Sequence, residues 1–213
     1  MTALFALYIC LILGLVWAEF KEARAAQRLL KPMAAFGFIL IALLSGALDT
    51  QYGKIILCGL IACAAGDVFL LSRNSQKLFL AGMIAFAIGH LAYLSAFVPP
   101  QPADMTAGRF ATIAIVVFGG AGIFAWLKPH LPKDMRIAVP IYVFIILLMV
   151  INALGLPMRG PLRLAMIGAV MFAMSDVFVA RDRFVTPTPL NALAITPLYF
   201  GAQALIALST TAL

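Results

Sequence analysis

Two aspartates stand inside apolar segments of the sequence, in nearly the same local context. Asp67 lies in the run AAGDVFL, and Asp176 lies 109 positions later in the run AMSDVFV. A carboxylate at membrane depth costs at least roughly 2.5–3.5 kcal/mol on insertion scales, so an ionisable residue inside a span is a functional-site candidate. The matched pair is therefore the first place to look for chemistry.

The chemistry that two such carboxyls suit is general acid and general base catalysis. In one low-dielectric site they do not both ionise readily, so one can hold a proton while the other carries a charge. That division of states is what acid–base catalysis requires. The residues leave open which aspartate is the acid. They also leave open a structural alternative, in which each aspartate caps a helix end or pairs with Arg73 or Arg181.

The composition predicts the elements that must position this pair. Of 213 residues, 64% are hydrophobic and 11% are charged, against about 25% charged in soluble domains. We therefore expect an all-α polytopic membrane protein, with residues 1–213 as a single transmembrane domain. Spans of about 20 apolar residues fit eight segments, at about 2–18, 32–48, 54–71, 78–97, 109–127, 137–156, 162–180 and 190–210.

The basic residues predict the topology and argue against a nucleic-acid partner. The net charge is +7, but the Lys and Arg residues lie in short loops between apolar runs. Eleven follow odd-numbered spans and four follow even-numbered ones. Because positively charged loops stay in the cytoplasm, both termini are expected on the non-cytoplasmic side. An integral membrane protein is expected, in the inner membrane if the source is bacterial.

An internal repeat is also predicted. The aspartate motifs match, and Pro32 and Pro140 each open the span before the one that carries the aspartate. Spans one to four and five to eight have the same orientation, so the repeat would be parallel, about an axis along the membrane normal. Its halves would be residues 1–100 and 105–213.

Further polar residues within the spans are candidates for binding. His90 and Tyr93 share a helix face, as do Tyr199 and Gln203. His90 is about 20 Å along its helix from Lys77, in the outer half, so its place in the aspartate site stays open. Ser175 adjoins Asp176 but has no Gly-x-Ser-x-Gly elbow, so a serine hydrolase is not expected.

The region of the predicted cytoplasmic boundary carries two arginines of interest. Arg73 and Arg181 are placed to attract a lipid phosphate, or serve only as topology determinants. The sequence shows no further residues at metal-ligand spacing, so neither a metal nor another cofactor is expected.

The ordered set of motifs resembles the YhhN family of membrane proteins, which includes the animal lysoplasmalogenases. The resemblance runs from the third span to the eighth through GDVFL at 66–70, Gly82, Phe86, GHLAY at 89–93, Ser175-Asp176, Arg183-Phe184, Tyr199 and Gln203. Where that family often has Thr-Tyr-Tyr in its last span, this chain reads TPLY at 196–199, with one tyrosine and an intramembrane proline.

The resemblance implies an eight-helix enzyme that hydrolyses the vinyl ether bond of lysoplasmalogens to a fatty aldehyde and a glycerophospho-base. It implies Asp67 and Asp176 as the catalytic pair and a lysophospholipid as the substrate, with membrane lipids around it. We expect the substrate-binding residues to be His90, Tyr93, Tyr199, Gln203, Ser175, Arg73 and Arg181. The chemistry fits two carboxyls, because protonation of the alkene carbon gives an oxocarbenium ion, as in glycosidases.

Two other classes of function remain open on the residues. Buried acids and parallel repeats also occur in transporters, so the pair could serve a small-molecule or proton-coupled carrier. A carrier should show broken helices and access from both sides. A structural membrane protein could use the acids only to join helices, and would then tolerate Asp→Asn better than an enzyme.

Overall fold

The computed structural model describes residues 2–72, 75–98 and 106–211 and forms a helical bundle. Within these residues eight helices are long and apolar enough to cross a membrane, which confirms the predicted spans. In chain order they are α1 (Thr2–Phe20), α2 (Arg24–Leu44), α3 (Gln51–Leu70), α4 (Gln76–Ala96), α5 (Ala107–Leu127), α6 (Ala138–Ala153), α7 (Leu162–Ala180) and α8 (Ala192–Leu208).

Local sequence explains where several of these helices begin and end. The side chains of Thr50, Ser75 and Thr106 accept hydrogen bonds from backbone N–H groups in the first turns of α3, α4 and α5, as N-cap residues do. After α7 the chain continues through a π-helical turn, Arg181–Val185, so this span reaches farther than residue 180. In the bilayer core a helix satisfies its own backbone polar groups.

The predicted start of the second span was wrong. α2 begins at Arg24, so Pro32 lies inside the helix and does not open it, whereas Pro140 does lie in the first turn of α6. The early turns of α2 are polar on one face, so the apolar run alone does not show where this helix begins. Since the two prolines are not equivalent, they give no support to the repeat with halves 1–100 and 105–213, which stays a prediction, as does the side of the membrane where the termini lie.

The tightest helix pairs are α3 with α4 and α7 with α8. Glycines on α3 permit the first of these approaches. A Cβ added at Gly59 would lie 2.4 Å from the Tyr93 ring, and one at Gly66 would lie 2.8 Å from the Phe86 ring. α8 is the most buried span and α5 the least. The bundle is therefore packed around α8, with α5 at its edge.

One end of the bundle is closed by a small apolar cluster, which we call the Leu127 cluster: Leu127, Leu131, Met135 and Val139. Phe79 at the start of α4 and Phe184 after α7 pack against it. This is the end predicted to be cytoplasmic. The cluster joins the ends of α5 and α7 to the beginnings of α4 and α6, and so closes one end of the cavity described next.

Candidate active site

A cavity of about 320 Å³ lies between α5 and α6 on one side and α3, α4, α7 and α8 on the other. Apolar side chains form most of its wall, including Met83, Phe86, Val143, Leu147 and Phe172. Asp67 and Asp176 both line it. The two acids therefore face one space, Asp67 from α3 and Asp176 from α7.

Asp67 is held by one hydrogen bond and one ion pair. Tyr199 donates its hydroxyl hydrogen to Asp67 Oδ2 over 2.6 Å, and Lys31 Nζ lies 3.7 Å from Oδ1. The Asp67 side chain is only 2% exposed. Both of its oxygens therefore face a hydrogen-bond donor or a cation, and these two neighbours favour the ionised carboxylate, whereas its burial opposes ionisation.

Lys31 is itself fixed from the other side. Its Nζ lies 3.9 Å from Glu19 Oε1 at the end of α1, and Thr196 on α8 donates a hydrogen bond to Glu19 Oε2. Lys31 also lines the cavity. A chain of polar contacts therefore runs from α8 through Glu19 and Lys31 to Asp67.

Asp176 has a different set of neighbours. His90 Nε2 lies 3.2 Å from Asp176 Oδ2, and the Tyr142 hydroxyl donates to the same oxygen over a long 3.4 Å. The Asp176 side chain is 13% exposed, against 0% for His90. Neither of these two partners carries a permanent charge, unlike Lys31 beside Asp67.

The orientation of the His90 ring is set by its surroundings. Its Nδ1 lies 2.8 Å from the carbonyl oxygen of Phe86, and its ring lies 4.2 Å from the Phe172 ring, with an angle of 33° between their planes. Because a carbonyl oxygen can only accept, Nδ1 carries a hydrogen. The Nε2 atom is thereby the one that faces Asp176.

The predicted depth of His90, about 20 Å along its helix, left its place in the aspartate site open, and this contact brings His90 to Asp176. The depth predicted for Asp176 assumed that α7 ends just after residue 180. The π-helical turn carries the span on to Val185, so Asp176 lies deeper than predicted. At about 1.5 Å per residue, nine residues correspond to roughly 13 Å.

The remaining predicted residues fall into two groups. Ser175 and Tyr199 line the cavity with the aspartates. Tyr93 and Gln203 are fully buried behind it, where the Tyr93 hydroxyl donates to Gln203 Oε1 over 2.7 Å. That bond joins α4 to α8. The predicted site residues are therefore near one another, but Tyr93 and Gln203 are not part of the cavity wall.

Two arginines, Arg181 and Arg73, were also predicted to bind the substrate. Arg181 donates a hydrogen bond to the Asn191 side chain and is not among the residues that line the cavity. Arg73 lies outside the described residues. Within residues 2–72, 75–98 and 106–211, no three His, Cys, Asp or Glu side chains group closely enough to hold a metal ion.

Sequence reasoning missed three residues of the site: Lys31, Glu19 and Tyr142. A signal was present for two of them. Lys31 stands in register with the buried positions 34, 35 and 38 of α2, and Tyr142 with 146, 149 and 153 of α6. At spacings of three, four and seven residues for Lys31 and of four, seven and eleven for Tyr142, each continues the buried stripe of its helix.

Comparison with known proteins gives a consistent set of relatives. The model of the YhhN family matches residues 26–210. The chain is 35% identical over 160 residues to lysoplasmalogenase TMEM86A of Bos taurus, covering 72% of the chain and 64% of that protein. It is 32% identical over 148 residues to the lysoplasmalogenase of Mycobacterium bovis, covering 69% of the chain and 56% of that protein.

A third relative is matched over more of its length. The chain is 29% identical over 208 residues to lysoplasmalogenase TMEM86B of Sus scrofa, which covers 96% of the chain and 84% of that protein. The match spans less than two thirds of the bovine TMEM86A and mycobacterial proteins. No solved structure shows a significant match to the chain.

Proposed function

The chain belongs to the YhhN family, and we propose that it is a membrane-embedded hydrolase that cleaves the vinyl ether bond of lysoplasmalogens. The products are a fatty aldehyde and a glycerophospho-base. The observation that carries the proposal is the apolar cavity lined by Asp67 and Asp176 together. The names of the three relatives support the same substrate class. In a bacterial cell the enzyme acts in the inner membrane.

The first step of the reaction requires a proton donor. Protonation of the alkene carbon converts the vinyl ether into an oxocarbenium ion, which water then attacks to give a hemiacetal. Collapse of the hemiacetal breaks the carbon–oxygen bond to glycerol and releases the aldehyde and the alcohol. The overall reaction consumes one water and no net proton. The site must therefore hold a proton at one group and a negative charge at another.

Asp67 is the charged group. Its two oxygens face the Tyr199 hydroxyl at 2.6 Å and the Lys31 ammonium at 3.7 Å, and both of these neighbours favour the carboxylate form. The carboxylate stabilises the oxocarbenium ion electrostatically and accepts a proton from the attacking water. A carboxylate preorganised in a site with little water is worth more than one in bulk solvent.

The pair of Asp176 and His90 is the proton donor. His90 Nδ1 donates to the Phe86 carbonyl oxygen, so a neutral imidazole presents a lone pair from Nε2 to Asp176. In the proposed mechanism the pair holds one proton across this 3.2 Å contact between His90 Nε2 and Asp176 Oδ2 and gives it to the alkene carbon. The proton that Asp67 takes from water then passes back to the Asp176–His90 pair, through water in the cavity that both acids line, so that the site is restored for the next turnover.

The carrier hypothesis is less well supported. Its helices should be broken near the site, but Asp67 and Asp176 both lie in continuous helical segments. The relatives described above are all named lysoplasmalogenases and none of these three is named a transporter. These observations favour the hydrolase.

The test is product formation by the purified protein in detergent. The protein is given an alkenyl lysophospholipid or its acyl counterpart, and aldehyde and fatty acid release are measured. We expect aldehyde from the alkenyl lipid only. Asp67→Asn and Asp176→Asn should each lower kcat by about 1,000-fold, within the range for removing an acid–base group. Asp49→Asn is the matched control, because Asp49 is exposed in the turn between α2 and α3 and should retain full activity.

Each result bears on a separate claim. No aldehyde from the parent protein would refute the substrate assignment. Full activity in either cavity variant, with the fold intact by thermal unfolding, would refute the role of that aspartate. Fatty acid release from the acyl lipid would show ester hydrolysis, which is a different chemistry.

A further inference from the structure

The cavity has one wall that is also a lipid-facing surface of the protein. Six residues of α5 line it: Ile115, Val116, Gly119, Gly120, Ile123 and Leu127. Adjacent pairs and steps of three to four residues place them on one face of the helix. Of these, Ile115 is 73% exposed and Ile123 is 36% exposed, and Gly119 is also exposed. This wall of the cavity is therefore not covered by another helix.

The position of α5 explains this double exposure. α1, its counterpart in the predicted repeat, packs against both α2 and α8, and Tyr8 on α1 donates a hydrogen bond to the backbone of α8 at Phe200. α5 instead packs mainly on α6, with further contacts to the turns that follow α5 and α7. α1 therefore packs against the bundle on two sides. α5 packs mainly on one helix, and the cavity lies beside it.

Gly119 lies where a side chain would narrow this opening. A Cβ placed at Gly119 would meet no atom within 4 Å, and Gly119 borders the cavity. Gly120, next to it, is packed against Leu147, which lies 2.5 Å from such a Cβ. Space at Gly119 is therefore unused by the packing of the protein itself.

The opening and the aspartates lie at similar depth. Gly119 is eight residues from Leu127, or roughly 12 Å along the helix. Asp176 is about as far from Val185, and both Leu127 and Val185 belong to or pack against the Leu127 cluster. A molecule that enters between α5 and α7 therefore arrives at the level of the acids without crossing the closed end.

We propose that the gap beside Gly119 is a lateral opening through which the hydrocarbon chain of a single-chain lipid passes from the bilayer into the cavity. The occupant is identified by the apolar wall on α5 and α6, by the exposure of that wall to lipid, and by continuity with the acids. The identity of the reactive group on the lipid rests on the proposed function. The path of its hydrocarbon chain does not rest on that function, because the path depends only on the shape and polarity of the opening.

The test uses two glycines on the same helix. Gly119→Phe places a ring in the opening. Gly122→Phe is the matched control, because a Cβ at Gly122 also meets nothing within 4 Å, yet Gly122 does not border the cavity. The probe is an alkyl ether lysophospholipid with a saturated chain and a photoreactive diazirine at its end, which binds without being hydrolysed. Crosslinked peptides are quantified by mass spectrometry, and aldehyde release from the alkenyl lipid is measured in parallel.

In the parent protein we expect crosslinks on peptides from α5 and α6. Gly119→Phe should reduce them about tenfold and lower kcat/KM for the alkenyl lipid by a similar factor, Gly119→Ala should reduce both less, and Gly122→Phe should keep both. Unchanged crosslinking in Gly119→Phe would overturn the proposal. So would an equal loss in Gly119→Phe and Gly122→Phe. A parent protein that crosslinks the probe but releases no aldehyde would refute the hydrolase while leaving the opening supported.

Discussion

Asp67 on α3 and Asp176 on α7 are each followed by Val-Phe, yet their carboxylates meet different neighbours. Asp67 faces the Lys31 ammonium and the Tyr199 hydroxyl. Asp176 faces the His90 imidazole and, at longer range, the Tyr142 hydroxyl. In the mechanism proposed above, the first aspartate carries a fixed negative charge and the second shares a proton that can move. Under that proposal, two similar motifs serve as two different chemical groups.

The helices that supply these neighbours differ between the two aspartates in a regular way. Asp67 on α3 is contacted from α2 and α8, and Asp176 on α7 is contacted from α6 and α4. In a parallel repeat of four helices, α2 corresponds to α6 and α4 to α8. Moreover, His90 and Tyr199 are 109 positions apart, like the two aspartates. The exchange supports the proposed repeat, in which one position became an imidazole in one half and a phenol in the other.

The largest effect that separates the two halves is expected at His90. His90→Gln keeps a side chain of similar length but removes the group that shares a proton with Asp176. We expect kcat to fall about 100-fold, as for loss of an acid–base group, and the solvent deuterium isotope effect on kcat to change because the proton donor has changed. Tyr199→Phe, at the matching position, should lower kcat about tenfold and leave the isotope effect as it was. Equal changes in both variants would contradict the division of roles.

A smaller effect is expected at Lys31. Lys31→Met removes the charge that stabilises the Asp67 carboxylate, and kcat should fall roughly tenfold with little change in KM, while Lys31→Arg, which keeps the charge, should recover most of the loss. Steady-state kinetics with the alkenyl lysophospholipid measures both parameters. A rise in KM alone would show that Lys31 binds the substrate phosphate and does not act through Asp67.

The elements were easier to predict from sequence than the partners of the acids. The apolar runs predicted the eight spans, because a segment that crosses the bilayer as a helix satisfies its own backbone hydrogen bonds. The aspartates stood out because a carboxylate is costly at that depth. Lys31 did not stand out, because a basic residue next to an apolar run is usually a topology signal. Its role depends on α2 starting at Arg24, which turns a loop residue into one that faces the bundle.

The depth of a residue was predicted less well than the face on which it lies. His90 and Tyr93 do share a face, as do Tyr199 and Gln203, because that depends only on helical spacing. The relative height of His90 and Asp176 depends on where α7 ends and on how the helices are offset, and a π-helical turn after residue 180 carries no strong sequence signal. The Arg181 guanidinium donates a hydrogen bond to Asn191, and its expected role in substrate binding stays a prediction.

The smallest effect on catalysis is expected behind the cavity, at Tyr93. Tyr93→Phe removes the donor to Gln203 Oε1, which is fully buried, and an unpaired buried acceptor costs about 1–3 kcal/mol of folding free energy. The variant should therefore unfold at a lower temperature in detergent while its kcat stays within about twofold of the parent value. Tyr199→Phe, which removes a hydroxyl that does contact an aspartate, is the control that loses activity. If Tyr93→Phe instead lowered kcat as much as Tyr199→Phe, the hydrogen bond between α4 and α8 would have to be counted with the contacts that set the position of Asp67.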